Sequence, residues 1–261
     1  ARYGLADEAV KGRAALEWRR AGGTTFGVEG YREYREAGDV AEVSLVRNSL
    51  AAQEFGSDWT DPFDARGGGV FADLGAGGAR RLRLRVGLEA QDALAVNARP
   101  FSGRYARTIP ATALTAARGE VTLEQPMVAG PLGMQWRGEL RGRLTTWRAG
   151  RFDGIGCGGG SRRACGTTLR GSAVVQGDRP LGASGDTRLV VQTLAAVVGA
   201  PFDGDVAPTA IGFGRALPDG NVPAQELVYL GGPISAPGYG FHALAGRIGA
   251  AQRVEIRTPV P

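Results

Sequence analysis

Polar and apolar residues alternate with a period of two along most of this chain. The clearest case is RLRLRVGLE at residues 81–89, where Leu82, Leu84, Val86 and Leu88 are separated by charged residues and one glycine. Successive side chains of a strand point to opposite faces, so this pattern predicts strands with one apolar and one charged face. It predicts nine antiparallel strands and an all-β fold, with the strands near residues 10–20, 24–35, 66–74, 81–89, 118–128, 132–144, 167–177, 186–199 and 250–258.

The connections between these predicted strands alternate between short and long. The short ones lie near residues 21–23, 75–79, 129–131 and 178–185, and the long ones near 37–65, 93–117, 149–166 and 200–249. Several strands have ten or more residues, which is the length of a tilted bilayer crossing. Short turns on one side and long loops on the other are typical of an up-and-down transmembrane β-barrel of the outer membrane.

Alternation by itself leaves two folds open. In a soluble sandwich or barrel the apolar face forms the core, whereas in a membrane barrel the charged face lines a wet interior and the apolar face contacts lipid. Strand length and the loop asymmetry favour the membrane fold. Its aromatic belts would then include Trp18, Trp136, Trp147, Tyr31 and Tyr34.

Composition narrows the possible functions. Hydrophobic residues make up 43% of the 261 residues, yet no run reaches the length of a membrane-spanning helix. The net charge of +5 comes almost entirely from arginines that are dispersed along the strands. This dispersed pattern argues against a nucleic-acid partner.

Few residues suggest reactive chemistry. Cys157 and Cys165 flank a glycine-rich bend, which predicts a local disulfide and an oxidising compartment. His242, the only histidine, has no nucleophile motif near it and is expected to pack against its neighbours. Acidic residues between the first strands favour a solvated loop over a calcium site; they are Glu54, Asp58, Asp61 and Asp64. We therefore expect no catalytic residues, no metal site and no cofactor, and the chain is not expected to be an enzyme.

The stretch from Val222 to the end, VPAQELVYLGGPISAPGYGFHALAGRIGAAQRVEIRTPVP, resembles a known motif. It is similar to the sixth extracellular loop and following strand of the bacterial surface antigen family, the BamA-type outer-membrane barrels. The motif positions that match in order are Pro223, Glu226, Tyr229, Gly231, Gly232, Gly238 and Tyr239. Pro237 stands where the family has the arginine of its Arg-Gly-aromatic tip.

This resemblance implies a location, a topology and a set of partners. The loop of the family folds back into the barrel lumen, where its tip contacts the inner wall, so 200–249 would be a lumen-type loop. The family barrel has sixteen strands, so residues 1–261 would be one β-barrel domain that forms part of a larger barrel. Its implied partners in the bacterial outer membrane are the lipid bilayer, lipopolysaccharide and unfolded outer-membrane proteins or an exported substrate.

Three functions remain open on these grounds. The first is insertion, assembly or export of proteins at the outer membrane, as the resemblance implies. The second is a passive pore or structural barrel that has lost this activity, which the replacement of arginine by Pro237 suggests. The third is a soluble all-β binding module whose apolar faces form a closed core.

Overall fold

The computed structural model describes residues 2–4, 9–37, 54, 60–76, 80–94, 101–102, 109, 111–150, 165–182, 186–199 and 222–258. Ten strands of this part form one antiparallel up-and-down sheet, in which neighbours along the chain are neighbours in space until the last. The strands of this sheet are β1 (Arg2–Gly4), β2 (Ala9–Arg19), β3 (Thr25–Glu36), β4 (Pro62–Ala76), β5 (Arg80–Ala93), β6 (Leu114–Ala129), β7 (Gln135–Ala149), β8 (Cys165–Leu181), β9 (Thr187–Gly199) and β12 (Ile248–Arg257). A separate two-stranded hairpin is made by β10 (Val228–Leu230) and β11 (Leu244–Gly246).

All nine predicted strands are confirmed, and most are longer than predicted on the side of the long connections. β4 begins at Pro62, four residues before its predicted start, and β7 ends at Ala149, beyond its predicted end at residue 144. These extensions carry outward-facing charges such as Asp64 and Asp92, which break the apolar alternation although the hydrogen-bond ladder continues. The three-residue strands β1, β10 and β11 were not predicted, because so short a segment shows no periodicity.

The described sheet is open. At one end β1 pairs with β2 over only three residues, and at the other end β12 pairs with β9. Within the described ranges these two end strands do not pair with each other, so closure into a barrel stays a prediction. None of the helices in the described part of the chain is long and apolar enough to cross a membrane.

One face of the sheet is apolar and exposed. A single cross-strand row on this face runs through Leu16, Val28, Val70, Val86, Gly119, Leu144 and Leu169. Every side chain larger than glycine in this row is exposed, and Val86 reaches 61% of its full accessibility. Further along the same face β12 exposes Ile248, Val254 and Ile256.

The opposite face is charged and largely buried. Its neighbouring row runs through Glu17, Gly27, Phe71, Arg85, Glu120, Arg143 and Arg170. The side chains of Glu29 and Glu89 on this face are 0% and 1% exposed. The sheet therefore turns its charges inward and its hydrophobic side chains outward, the reverse of a soluble sheet.

Ion pairs across neighbouring strands neutralise the charged face. Glu29 of β3 pairs with both Arg13 of β2 and Arg85 of β5. Glu89 lies 3.0 Å from Arg35 and 3.3 Å from Arg118. Opposite charges on facing strands stabilise a sheet, and buried charges need such partners.

Two aromatic residues were placed wrongly by the belt prediction. The Tyr31 hydroxyl donates a 2.5 Å hydrogen bond to Glu89, so this ring lies on the charged face. Trp147 is buried on the same face against Leu114 and Ala116. Each of these two residues lies three positions from an outward apolar residue of its own strand, Val28 or Leu144. Side chains on one strand alternate between faces, so both rings lie on the charged face. Trp18 is exposed on the apolar face.

The centre of β4 and β5 requires glycine. A Cβ atom added to Gly69 would lie 2.8 Å from Cα of Gly87 on the next strand, and one added to Gly68 would lie 2.8 Å from the carbonyl oxygen of Glu29. Such close backbone approach is a standard reason for glycine inside a strand.

We expect Gly69→Ala to destabilise the sheet by about 1–3 kcal/mol, because the new methyl group forces β4 and β5 apart. Gly119→Ala is the matched control, since nothing lies within 4 Å of a Cβ atom added there. Urea unfolding of both variants in detergent micelles measures the difference. Equal unfolding midpoints for the two variants would contradict the steric explanation.

Candidate functional site

Residues 222–246 leave the sheet and fold onto its charged face. This segment contains a 3-10 turn at Ala224–Glu226 and the β10–β11 hairpin. Glu226 and Gln225 are each 2% exposed, and both contact strands of the sheet. Specific contacts therefore hold this long, weakly charged connection against the charged face of the sheet. We call residues 222–246 the inward segment, and the charged face that they contact the wall.

Gln225 holds the inward segment to the long-loop end of the sheet. Its amide oxygen accepts a 2.9 Å hydrogen bond from the backbone N–H of Thr112. Its amide nitrogen donates to the carbonyl oxygen of Thr112 at 2.9 Å and to the side chain of Gln91 at 2.8 Å. A buried amide must satisfy its donors and its acceptor, and these contacts do so.

Glu226 completes a cluster of charges on the wall. Its carboxylate lies 3.3 Å from Arg143, which also pairs with Glu120 at 3.4 Å. Arg170 donates hydrogen bonds of 2.6 and 2.7 Å to the carbonyl oxygens of Glu226 and Leu227. Arg143 and Arg170 are directly opposite each other in the β7–β8 ladder, so the inward segment brings negative charge to a place where two cations meet.

The apolar side of the inward segment packs on β9. Leu227 and Val228 form a buried cluster with Ala196 and Val198, which lie on the charged face of the sheet. On β12, a Cβ atom added to Gly249 would lie 2.7 Å from Val228, so glycine makes room for β10. These contacts explain why β9 is apolar on both of its faces.

The far end of the inward segment is fastened by His242. Its Nδ1 lies 2.5 Å from the Asp61 carboxylate, and the two side chains are almost fully buried. The imidazole stacks on the rings of Phe241 and Tyr229. Asp61 also accepts a 3.1 Å hydrogen bond from the backbone of Ile109, so it belongs to the packed site.

Tyr229 lies at the centre of this arrangement. Its hydroxyl donates a 2.8 Å hydrogen bond to the carbonyl oxygen of Ala224, which closes the turn that presents Gln225 and Glu226. Burial, together with the nearby Asp61 carboxylate, raises the pKa of Tyr229 above its ordinary value. The side chain therefore stays a neutral hydrogen-bond donor.

The tip of the inward segment, residues 237–239, is exposed. Gly231, Gly232 and Gly238 all have left-handed backbone angles, with φ values of 130°, 120° and 94°. Pro237, Gly238 and Tyr239 are exposed, Tyr239 to 51%. The resemblance implies a tip that contacts the inner wall, whereas here the turn at Gln225 and Glu226 makes that contact.

The predicted motif is thus divided in two by the structure. Glu226, Tyr229, Gly231 and Gly232 lie in the buried part, and Pro237, Gly238 and Tyr239 lie in the exposed tip. Gln225, Arg143 and Arg170 were missed, because the opposition of Arg143 and Arg170 depends on the register of two strands that a long connection separates in sequence.

The predictions for acidic residues and cysteines have different outcomes. Asp61 is buried and paired, so its assignment to a solvated loop was wrong. Asp64 pairs with Arg32 on the outer face of the sheet. Within the described ranges no three potential ligands form a metal site. Cys157 lies outside the described residues, so the disulfide with Cys165 stays a prediction.

Below the inward segment, toward the short turns, the charged face borders a polar cavity of about 150 Å³. It is lined mainly by charged residues of β2 and β4–β7, among them Arg13, Asp73, Arg83, Glu120, Glu124 and Arg141. A cavity lined by both charge signs suits water and small hydrophilic solutes.

Comparison of the chain with protein-family models, curated proteins and solved structures finds no match. The functional assignment therefore depends on the geometry of the sheet and of the inward segment.

Proposed function

We propose that this protein is an outer-membrane β-barrel of the surface-antigen type, which inserts, assembles or exports other proteins. One observation carries the proposal: the sheet buries its charges on one face and exposes a continuous apolar surface on the other. In water such a surface would promote aggregation, whereas a bilayer requires an apolar surface on the outside of a barrel.

The dimensions of the apolar surface agree with this proposal. On β5 the outward residues from Leu82 to Ala90 are all apolar, which covers about 26 Å along the strand at about 3.3 Å per residue. A strand tilt of about 40° reduces this to about 20 Å, near the apolar height of known barrels. Outward charges begin at its end, where Arg66 lies opposite Ala90 and forms an ion pair with Asp92.

The inward segment supports the surface-antigen type in particular. It lies between the last two strands of the sheet and folds back onto the charged face, as the family resemblance implies. It also buries two of the motif residues, Glu226 and Tyr229. Its partners on the wall come from β5, β7, β8 and β9, so it spans much of the described interior. Lipopolysaccharide and lipid would contact the apolar face, and a polypeptide substrate would contact the charged one.

Cell fractionation and depletion together test the proposal. We expect the full chain in the outer membrane, with a folded form that migrates faster than the heated form in gel electrophoresis. Depletion should lower the amounts of other folded outer-membrane barrels while their transcripts stay constant. A protein that is monodisperse without detergent would overturn the membrane assignment and favour a soluble binding module.

A second candidate, a passive pore or structural barrel, is favoured by the exposed tip and by Pro237 in place of arginine. Under this alternative, depletion changes the uptake of small hydrophilic solutes and leaves the other barrels at their normal amounts. Tyr239→Ala separates the candidates further, because an assembly defect in that variant requires an active tip.

A further inference from the structure

The wall beneath the inward segment has the features of a peptide-binding site. Arg170 donates hydrogen bonds to two consecutive backbone carbonyl groups, those of Glu226 and Leu227. The backbone of Thr112 exchanges two hydrogen bonds with the side chain of Gln225. Contacts to the backbone of a peptide provide affinity, and pockets for its side chains provide specificity.

The side chains of the segment define what this site accepts. Arg143 takes a carboxylate, and the next two positions pack on the apolar patch of Ala196 and Val198. The matching peptide forms a 3-10 turn that leads into an extended segment, and it has an amide residue, an acidic residue and two aliphatic residues in succession, as in Gln225–Glu226–Leu227–Val228.

An anionic occupant relieves a like-charge contact on the wall, in addition to the ion pair that Arg143 makes with Glu120. Arg143 and Arg170 are a directly opposite pair, and like charges at such a position destabilise a sheet. Every wall partner belongs to the sheet or to Thr112, outside the inward segment, so these groups remain in place when the segment leaves. The site would then favour another carboxylate flanked by apolar residues.

We propose that the inward segment is the intramolecular occupant of a site that binds acidic–apolar peptide segments of a polypeptide substrate. This proposal rests on the proposed function, since only a barrel that handles polypeptides brings peptides to this face. Tethering gives the segment an effective concentration in the millimolar range, so it excludes a free peptide until it is displaced.

Peptide binding to the purified full chain in detergent micelles tests this inference. The probe is a fluorescent peptide with the sequence of residues 222–230, and anisotropy measures its binding to a variant in which a Gly-Ser linker of equal length replaces 222–246. We expect saturable binding to the linker variant and at least tenfold weaker binding to the unmodified chain. Arg143→Gln combined with Arg170→Gln should weaken binding to the linker variant at least tenfold.

A control peptide that carries Gln225→Ala and Glu226→Gln should bind at least tenfold more weakly. Equal binding of the two peptides, equal binding by the linker variant and the unmodified chain, or no binding to a folded linker variant would overturn the proposal. If the linker variant does not fold, the full chain with Gln225→Ala and Glu226→Gln decides in its place: binding of the probe supports the site, and no binding overturns it.

This experiment can fail independently of the proposed function. Outer-membrane location and the depletion phenotype are measured in cells, whereas peptide binding is measured on purified protein. Normal depletion effects without peptide binding would leave the assembly function standing and remove only this site.

Discussion

Replacing Leu140 with arginine should destabilise the protein in membranes by about 2–4 kcal/mol, the cost of a cation at the lipid-facing midplane of a barrel. Leu140 lies near the middle of β7, on the apolar face, and is 52% exposed. In a soluble protein the same substitution at a half-exposed position would be almost neutral, because the guanidinium group would meet water. The sign and size of the effect thus report which medium contacts this face.

Leu132→Arg is the matched control. It makes the same chemical change at a more exposed leucine, in the short turn between β6 and β7. Urea titration of folding into lipid vesicles should show a large loss for Leu140→Arg and a change within about 0.5 kcal/mol for Leu132→Arg. Equal stability of the two variants would remove the main support for the membrane assignment.

Glu226→Gln should release the inward segment from the wall. The substitution keeps the shape of the side chain and removes the charge that partners Arg143. Breaking one side of a buried pair costs about 3–5 kcal/mol, and the remaining contact of Arg143 with Glu120 reduces this to about 2–3 kcal/mol. Docking should therefore weaken about 30- to 150-fold.

Hydrogen exchange measured by mass spectrometry detects this release. The backbone N–H groups of Glu226 and Leu227 are bonded within the turn, and they should exchange faster by the same factor as docking weakens. Glu255→Gln is the control, because Glu255 pairs with Arg253 and Arg257 of its own strand. Unchanged exchange across residues 222–230 in Glu226→Gln would show that the ion pair does not hold the segment.

The strands were predictable because their signal is local. Most of the long strands alternate in sequence, and a period of two needs no knowledge of the neighbouring strands. β9 is the instructive exception, because it is apolar on both faces. Its inner residues Ala196 and Val198 are explained only by Leu227 and Val228, which pack on them from a distant part of the chain.

The candidate site was only partly predictable. Glu226 and Tyr229 were found because they belong to a contiguous motif. Asp61 was assigned to solvent because nothing in its neighbourhood in sequence indicates His242, which lies 181 positions further along the chain. Contacts of such long sequence separation depend on how the connection folds back, and local periodicity has no information about this.

By itself the sequence determined that the protein is built from long, two-faced strands with short and long connections in alternation. The physical reason is that the backbone sends successive side chains to opposite sides, so the pattern of residues specifies both faces of each strand. Only the tertiary structure decided which face is buried. Burial depends on what covers a face, and here the ion pairs between strands and the inward segment cover the charged one.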